Sequence, residues 1–161
     1  MIANELDLVL GNAEPPVNLP AIGLASFTVH CAGNATTVLE CARITFAAVL
    51  RHSDHNFDDL IFWQSVLPPV FVKSCAPEIS AAEAEIRRRL PLEQRINCPW
   101  SLLNWLFWFK PSERQWYWWS SQCHNASIII IHVQPVDQPF AHGALDWLFL
   151  ASGAESVESK N

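Results

Sequence analysis

The segments Gln115-Trp-Tyr-Trp-Trp-Ser-Ser121 and Ser127-Ile-Ile-Ile-Ile-His-Val-Gln134 decide the fold. Both are dense in aromatic and β-branched residues, which suit a pleated, half-buried surface. The stretch Gln122-Cys-His-Asn-Ala126 joins them, so a hairpin is expected near 115–134. Side chains alternate along a strand. With Trp116 and Trp118 turned to the core, Tyr117 and Trp119 face the other way. That second face is either covered by another element or left as an aromatic surface.

Working outward, Trp100 to Phe109 reads as a short, almost wholly buried helix, capped by Ser101 and ended by Pro111. Gly143 to Ser152 reads as a last helix that finishes at Gly153. Upstream, Val38, Ala42, Phe46 and Val49 form one apolar stripe at helical spacing, giving a helix over 36–51 with Asn34 as N-cap. A strand over Arg43 to Leu50 is the competing reading. Asp58-Asp59 opens a further apolar segment, Leu60 to Trp63, and Pro69 to Cys75 forms a separate short helix. Ser80-Ala-Ala-Glu83 is a capping box, and the helix it starts runs to Leu90 with Ile86 and Leu90 on the buried side. Glu83 and Glu85 precede Arg87 and Arg89 by four residues and are expected to pair with them. Leu24 to Val29 has strand composition. Residues 1–20 read as an arm, or a short strand plus loop.

The fold class is therefore α+β. A helical N-terminal two thirds packs on a small antiparallel sheet, followed by a C-terminal helix. Residues 1–154 are expected to form a single globular domain and 155–161 a polar tail.

Composition narrows the function classes. Charged residues are only 16% of the 161, and the net charge is −6. A nucleic-acid binder needs a dominant basic field, so that class is not expected. The acid is uneven: residues 1–60 carry −5, residues 61–119 carry +2 and residues 120–161 carry −3. The acidic first third is the part expected to meet a basic partner. The longest apolar runs have five residues, against about 20 for a spanning helix, so no membrane association is expected. The start, Met1-Ile2-Ala3-Asn4-Glu5, lacks the basic, then apolar, pattern of a secretory signal. The five cysteines are odd in number and widely spaced, with no C-x-x-C. They read as reduced thiols in a cytoplasmic protein.

No catalytic set emerges. There is no G-x-S-x-G elbow, no phosphate loop and no G-x-G-x-x-G. His142 and Asp146, four apart, are placed to pair, yet no nucleophile accompanies them. His52-x-x-His55, beside Asp54, Asp58 and Asp59, is the weak metal candidate, and a solvated loop is its ordinary reading. No cofactor is expected. The eight tryptophans, six of them within 100–119, mostly build the core. The surplus, Tyr117 and Trp119, is the candidate interaction site, with Arg114 as a cation–π partner of one ring.

Trp100-Ser-Leu-Leu-Asn-Trp-Leu106, Pro111-Ser-Glu-Arg-Gln-Trp-Tyr-Trp-Trp119, Gly143-Ala-Leu-Asp-Trp-Leu148 and the Gly153-Ala154 that follows form a pattern, to which Leu67-Pro-Pro-Val-Phe-Val-Lys-Ser-Cys75 belongs. It resembles a group of uncharacterised small bacterial proteins. The resemblance covers about a third of the chain and implies a bacterial, cytoplasmic origin. It carries no activity and no catalytic residue.

Two functions from different classes follow. The first is a noncatalytic protein-binding module, of which a toxin-neutralising immunity protein is one version. Its binding residues are Tyr117, Trp119, Arg114, His132 and His142. The second is a small-molecule-binding protein or enzyme with an aromatic-lined pocket between sheet and helices. There His124, His132, His142 and Arg114 supply the polar groups.

Overall fold

The computed structural model describes residues 4–15, 23–91 and 99–160. In chain order the elements are α1 (Glu5–Leu10), β1 (Ala25–His30), α2 (Ala35–Arg51), α3 (Leu60–Val66), α4 (Pro69–Ser74), α5 (Ala81–Arg89), α6 (Leu102–Phe107), β2 (Trp116–Asn125), β3 (Ile128–Pro135), α7 (Gly143–Ala151) and β4 (Ser156–Lys160). The four strands form one antiparallel sheet in the order β2-β3-β1-β4. The fold is α+β, as the sequence indicates.

Every buried apolar side chain of the strands lies on one face: Phe27 and Val29 of β1, Ile129, Ile131 and Val133 of β3, Trp116 and Trp118 of β2. The helices supply the opposing layer. Phe46 of α2 packs against Trp116 at 5.3 Å and Trp118 at 5.9 Å, and Phe149 of α7 stacks on Trp118 at 6.2 Å. Trp105 of α6 meets Phe71 of α4 at 4.6 Å and donates its indole N–H to the Ala144 carbonyl. Rings at these separations in offset and edge-on poses add about 0.5–1.5 kcal/mol per pair beyond area burial. Most of the tryptophan is thus structural. Trp63, Trp105, Trp116 and Trp118 are buried, and Trp100, Trp108 and Trp147 pack half-buried against the same core, seven of the eight rings.

Local chemistry explains most helix starts. Ser80 accepts from the Glu83 N–H, Ser101 from the Asn104 N–H, Asp59 from the Phe62 N–H and Asn4 from the Leu6 N–H. Asn34 precedes α2 as expected, but its amide oxygen accepts from Ala32, outside the helix, so the cap bond itself is not made. The helix needs little help, because nine of its residues are buried.

Four expectations are corrected. Glu5–Leu10 is helical, not an arm or strand, because Leu8 and Val9 pack into the core. Residues 16–20 of that expected arm lie outside the described residues. Ser156–Lys160 is no tail: it pairs with β1 and packs a half-buried Val157 against the core from an otherwise polar strand. Ile86 is 62% exposed, and α5 has no buried residue. Arg88 docks that helix instead, with its guanidinium 4.1 Å over the Phe107 ring and bonded to Asn104. Finally, Glu85 holds both Arg88 and Arg89, whereas Glu83 and Arg87 do not pair.

Candidate functional site

Strand register arranges the outer face of the sheet into transverse rows. Tyr117 stands beside Gln134. The next row runs across all four strands as Ser120, His132, Ser26 and Lys160. Beyond it come Gln122, Ile130, Thr28 and Glu158, and then Asn125, Ile128, His30 and Ser156. Among the described residues, no apolar side chain of this face joins the hydrophobic core.

A β-bulge sets this arrangement. Trp118 pairs with Val133 and Ser120 with His132, which leaves Trp119 as the extra residue. Simple alternation would place Ser120 inside. The bulge brings it out instead, where its hydroxyl sits 3.2 Å from His132 Nδ1. Trp119 is half-buried and outside the core cluster. Beyond the bulge the parity is reversed, so Ser121 turns inward and its hydroxyl accepts from the Arg43 guanidinium.

Tyr117 is 43% exposed, the one large aromatic among the exposed hydrophobic residues described. Arg114 lies over it, its guanidinium carbon 4.5 Å from the ring centre. Arg114 is itself fixed: it donates to the Glu5 carboxylate at 2.7 Å and to the Trp116 carbonyl at 2.8 Å. The expected cation–π contact therefore exists, and its cation is held by a carboxylate from α1. Tyr117 is thereby a positioned ring.

The other candidates are dispersed. His142 sits at the N-cap position of α7, bonded through Nδ1 to Asp146 at 3.1 Å, with its ring 5.1 Å from Phe27 and 5.8 Å from Phe140. The Asp146 hydrogen bond raises its pKa above the ordinary histidine value, against the opposing effect of burial. Phe27 points to the core and His132 away from it, so His132 and His142 belong to opposite sides of the sheet. His124 is exposed in the β2–β3 hairpin. These groups and Arg114 do not converge on one pocket.

The weak metal pair is resolved as packing. His55 stacks on Phe62 at 3.5 Å and bonds Asp59 at 3.0 Å, while His52 sits edge-on to Phe62 at 5.2 Å. The bond from His55 holds the exposed Asp59 carboxyl below its usual range. Among the described residues, no three His, Cys, Asp or Glu side chains are placed to share a metal ion.

Cys31, Cys41, Cys75 and Cys123 are free thiols, and Cys98 lies outside the described residues. Burial pushes Cys75 up to about 11 and also raises Cys31, so both are poor nucleophiles. No described helix is long and apolar enough to cross a membrane.

Sequence reasoning missed the Ser120–His132–Ser26 row. Its signal is a bulge position and a strand pairing, neither visible in local composition. Compared with protein-family models, curated proteins and solved structures, the chain shows no match.

Proposed function

We propose that this protein is a noncatalytic protein-binding module, and that the outer face of its sheet is the contact surface. The observation that carries this reading is Tyr117: a partly exposed ring, held by Arg114 and Glu5, on a sheet face outside the core. Rigid aromatic anchors dominate interface energetics because little side-chain entropy is lost on binding. Ile128 and Ile130 extend the apolar part of the face, and Ser120, His132, Gln134 and Gln122 give it a polar surround. This mixture matches the composition of protein interfaces.

The aromatic interior also favours this reading over a ligand pocket between sheet and helices, since Phe46, Trp116, Trp118 and Phe149 pack on one another there. A small acidic chain of this kind fits an immunity-type protein of a bacterial cytoplasm, in line with the resemblance drawn from its Trp-rich segment. The test is affinity capture with the tagged chain from its native cells. Capture that survives Ile61→Asp on α3 and fails with Tyr117→Asp supports the proposal. Equal capture by both variants counts against it.

A further inference from the structure

We propose that the row Ser120–His132–Ser26–Lys160 is an anion site that takes a phosphate group of the partner. The inference rests on reading the outer face as the contact surface and names the chemistry that surface recognises.

Register sets the geometry. Ser26 stands directly between His132 and Lys160, paired with each across its own strand. Directly opposed residues on one sheet face lie about 4.5–5.5 Å apart at Cβ. The side chains of His132, Ser26 and Lys160 therefore spring from one short line across the sheet. A phosphate offers three strong acceptor oxygens and close to two negative charges, so it can engage neighbouring donors at once.

These donors are uncommitted. Among the described residues, Ser26 makes no side-chain hydrogen bond and Lys160 no ion pair. Among the described residues His132 bonds only through Nδ1, towards Ser120, and Nε2 has no partner there. Glu158, opposite Thr28 in the neighbouring row, is turned to His30 at 3.3 Å. One step along β1 on the same face, Thr28 is 6% exposed and its buried hydroxyl has no partner among the described residues. Buried hydroxyls are normally satisfied, so this column of β1 holds unused donor capacity.

Ser120 and His132 alone have the spacing of a nucleophile and base, but no orienting carboxylate bonds His132 among the described residues. Binding, not covalent chemistry, is what the row supports.

The test is an NMR titration of the full chain with inorganic phosphate at constant ionic strength, with acetate as a parallel arm. The expected result is saturable shifts confined to the His132 ring and the Ser26 and Ser120 amides. Lys160→Gln and Ser26→Ala should each weaken phosphate about tenfold, the scale of one lost charge-assisted hydrogen bond. Glu85→Gln, on α5, should leave affinity unchanged. Shifts that never saturate, equal affinity in the variants, or acetate bound as tightly as phosphate would overturn the proposal. Failed titration alongside Tyr117-dependent capture removes the phosphate site alone. Failure of both removes the contact face itself.

Discussion

One carboxylate oxygen of Glu5 lies 2.9 Å from the backbone nitrogen of Trp118 and accepts its N–H. Trp118 belongs to β2, an edge strand whose other side pairs with β3. An unpaired edge N–H is a template for unwanted strand addition. Here a side chain from α1 occupies it, and Arg114 balances the charge on the same oxygen. The contact closes a sheet edge and also fixes the cation that orients Tyr117.

Glu5→Ala removes both bonds and leaves a mostly buried guanidinium without its counter-charge. The expected cost is about 2–4 kcal/mol. For a chain of this size that corresponds to a fall in Tm of roughly 5–15 °C. Thermal unfolding followed by circular dichroism checks it. Glu5→Gln should cost less, because its amide oxygen still accepts from Trp118.

The His142–Asp146 pair predicts a pH dependence with a definite sign. The folded-state pKa of His142 is raised above its unfolded value. The stabilisation is therefore complete below an unfolded pKa of about 6.5 and is lost as pH rises through the folded value. Asp146→Asn should cost roughly 0.5–1 kcal/mol more at pH 5.5 than at pH 8.5, the scale of a partly exposed ion pair. Urea unfolding of both proteins at the two pH values measures this difference.

Gly143 opens α7 against Trp100. A Cβ built there would stand 2.9 Å from a carbon of the Trp100 indole. Gly143→Ala should cost about 1–3 kcal/mol through overpacking, although alanine is the better helix former. Gly143→Ala combined with Trp100→Leu should recover part of that loss. Chemical denaturation of both variants decides between clash and propensity.

Thiol reactivity should follow burial. Cys123 is exposed, while Cys31 is buried and Cys75 has its pKa pushed up to about 11. Labelling with a thiol reagent at pH 7.5, mapped by mass spectrometry, should modify Cys123 well before Cys31 or Cys75. Similar rates at all three would contradict the packing described.

Local signals made much of the architecture legible. The hydroxyls of Ser80 and Ser101, the apolar stripe of α2 and the β-branched run of β3 each report on neighbouring residues, and each element formed. The misreadings share a cause: the deciding partner is remote in sequence. Ser156–Lys160 is polar throughout except Val157 and becomes a strand because β3 pairs with only one side of β1 and leaves its other edge open. Ile86 stays out because α5 docks through Arg88, which meets Phe107 and Asn104. Simple alternation placed Tyr117 on the outer face, but the bulge at Trp119 reversed the parity beyond it and built the Ser120–His132 contact. Arg114 over Tyr117 was legible as a near-neighbour pair, whereas Glu5, more than a hundred residues away, was not.

The most direct test of the central claim is site-specific photo-crosslinking in the native cells, with a benzophenone side chain in place of Tyr117 and, separately, of Ile61 on α3. One dominant protein adduct is expected from position 117 and none of that mass from position 61. The same adduct from both positions, or only from position 61, would contradict the claim.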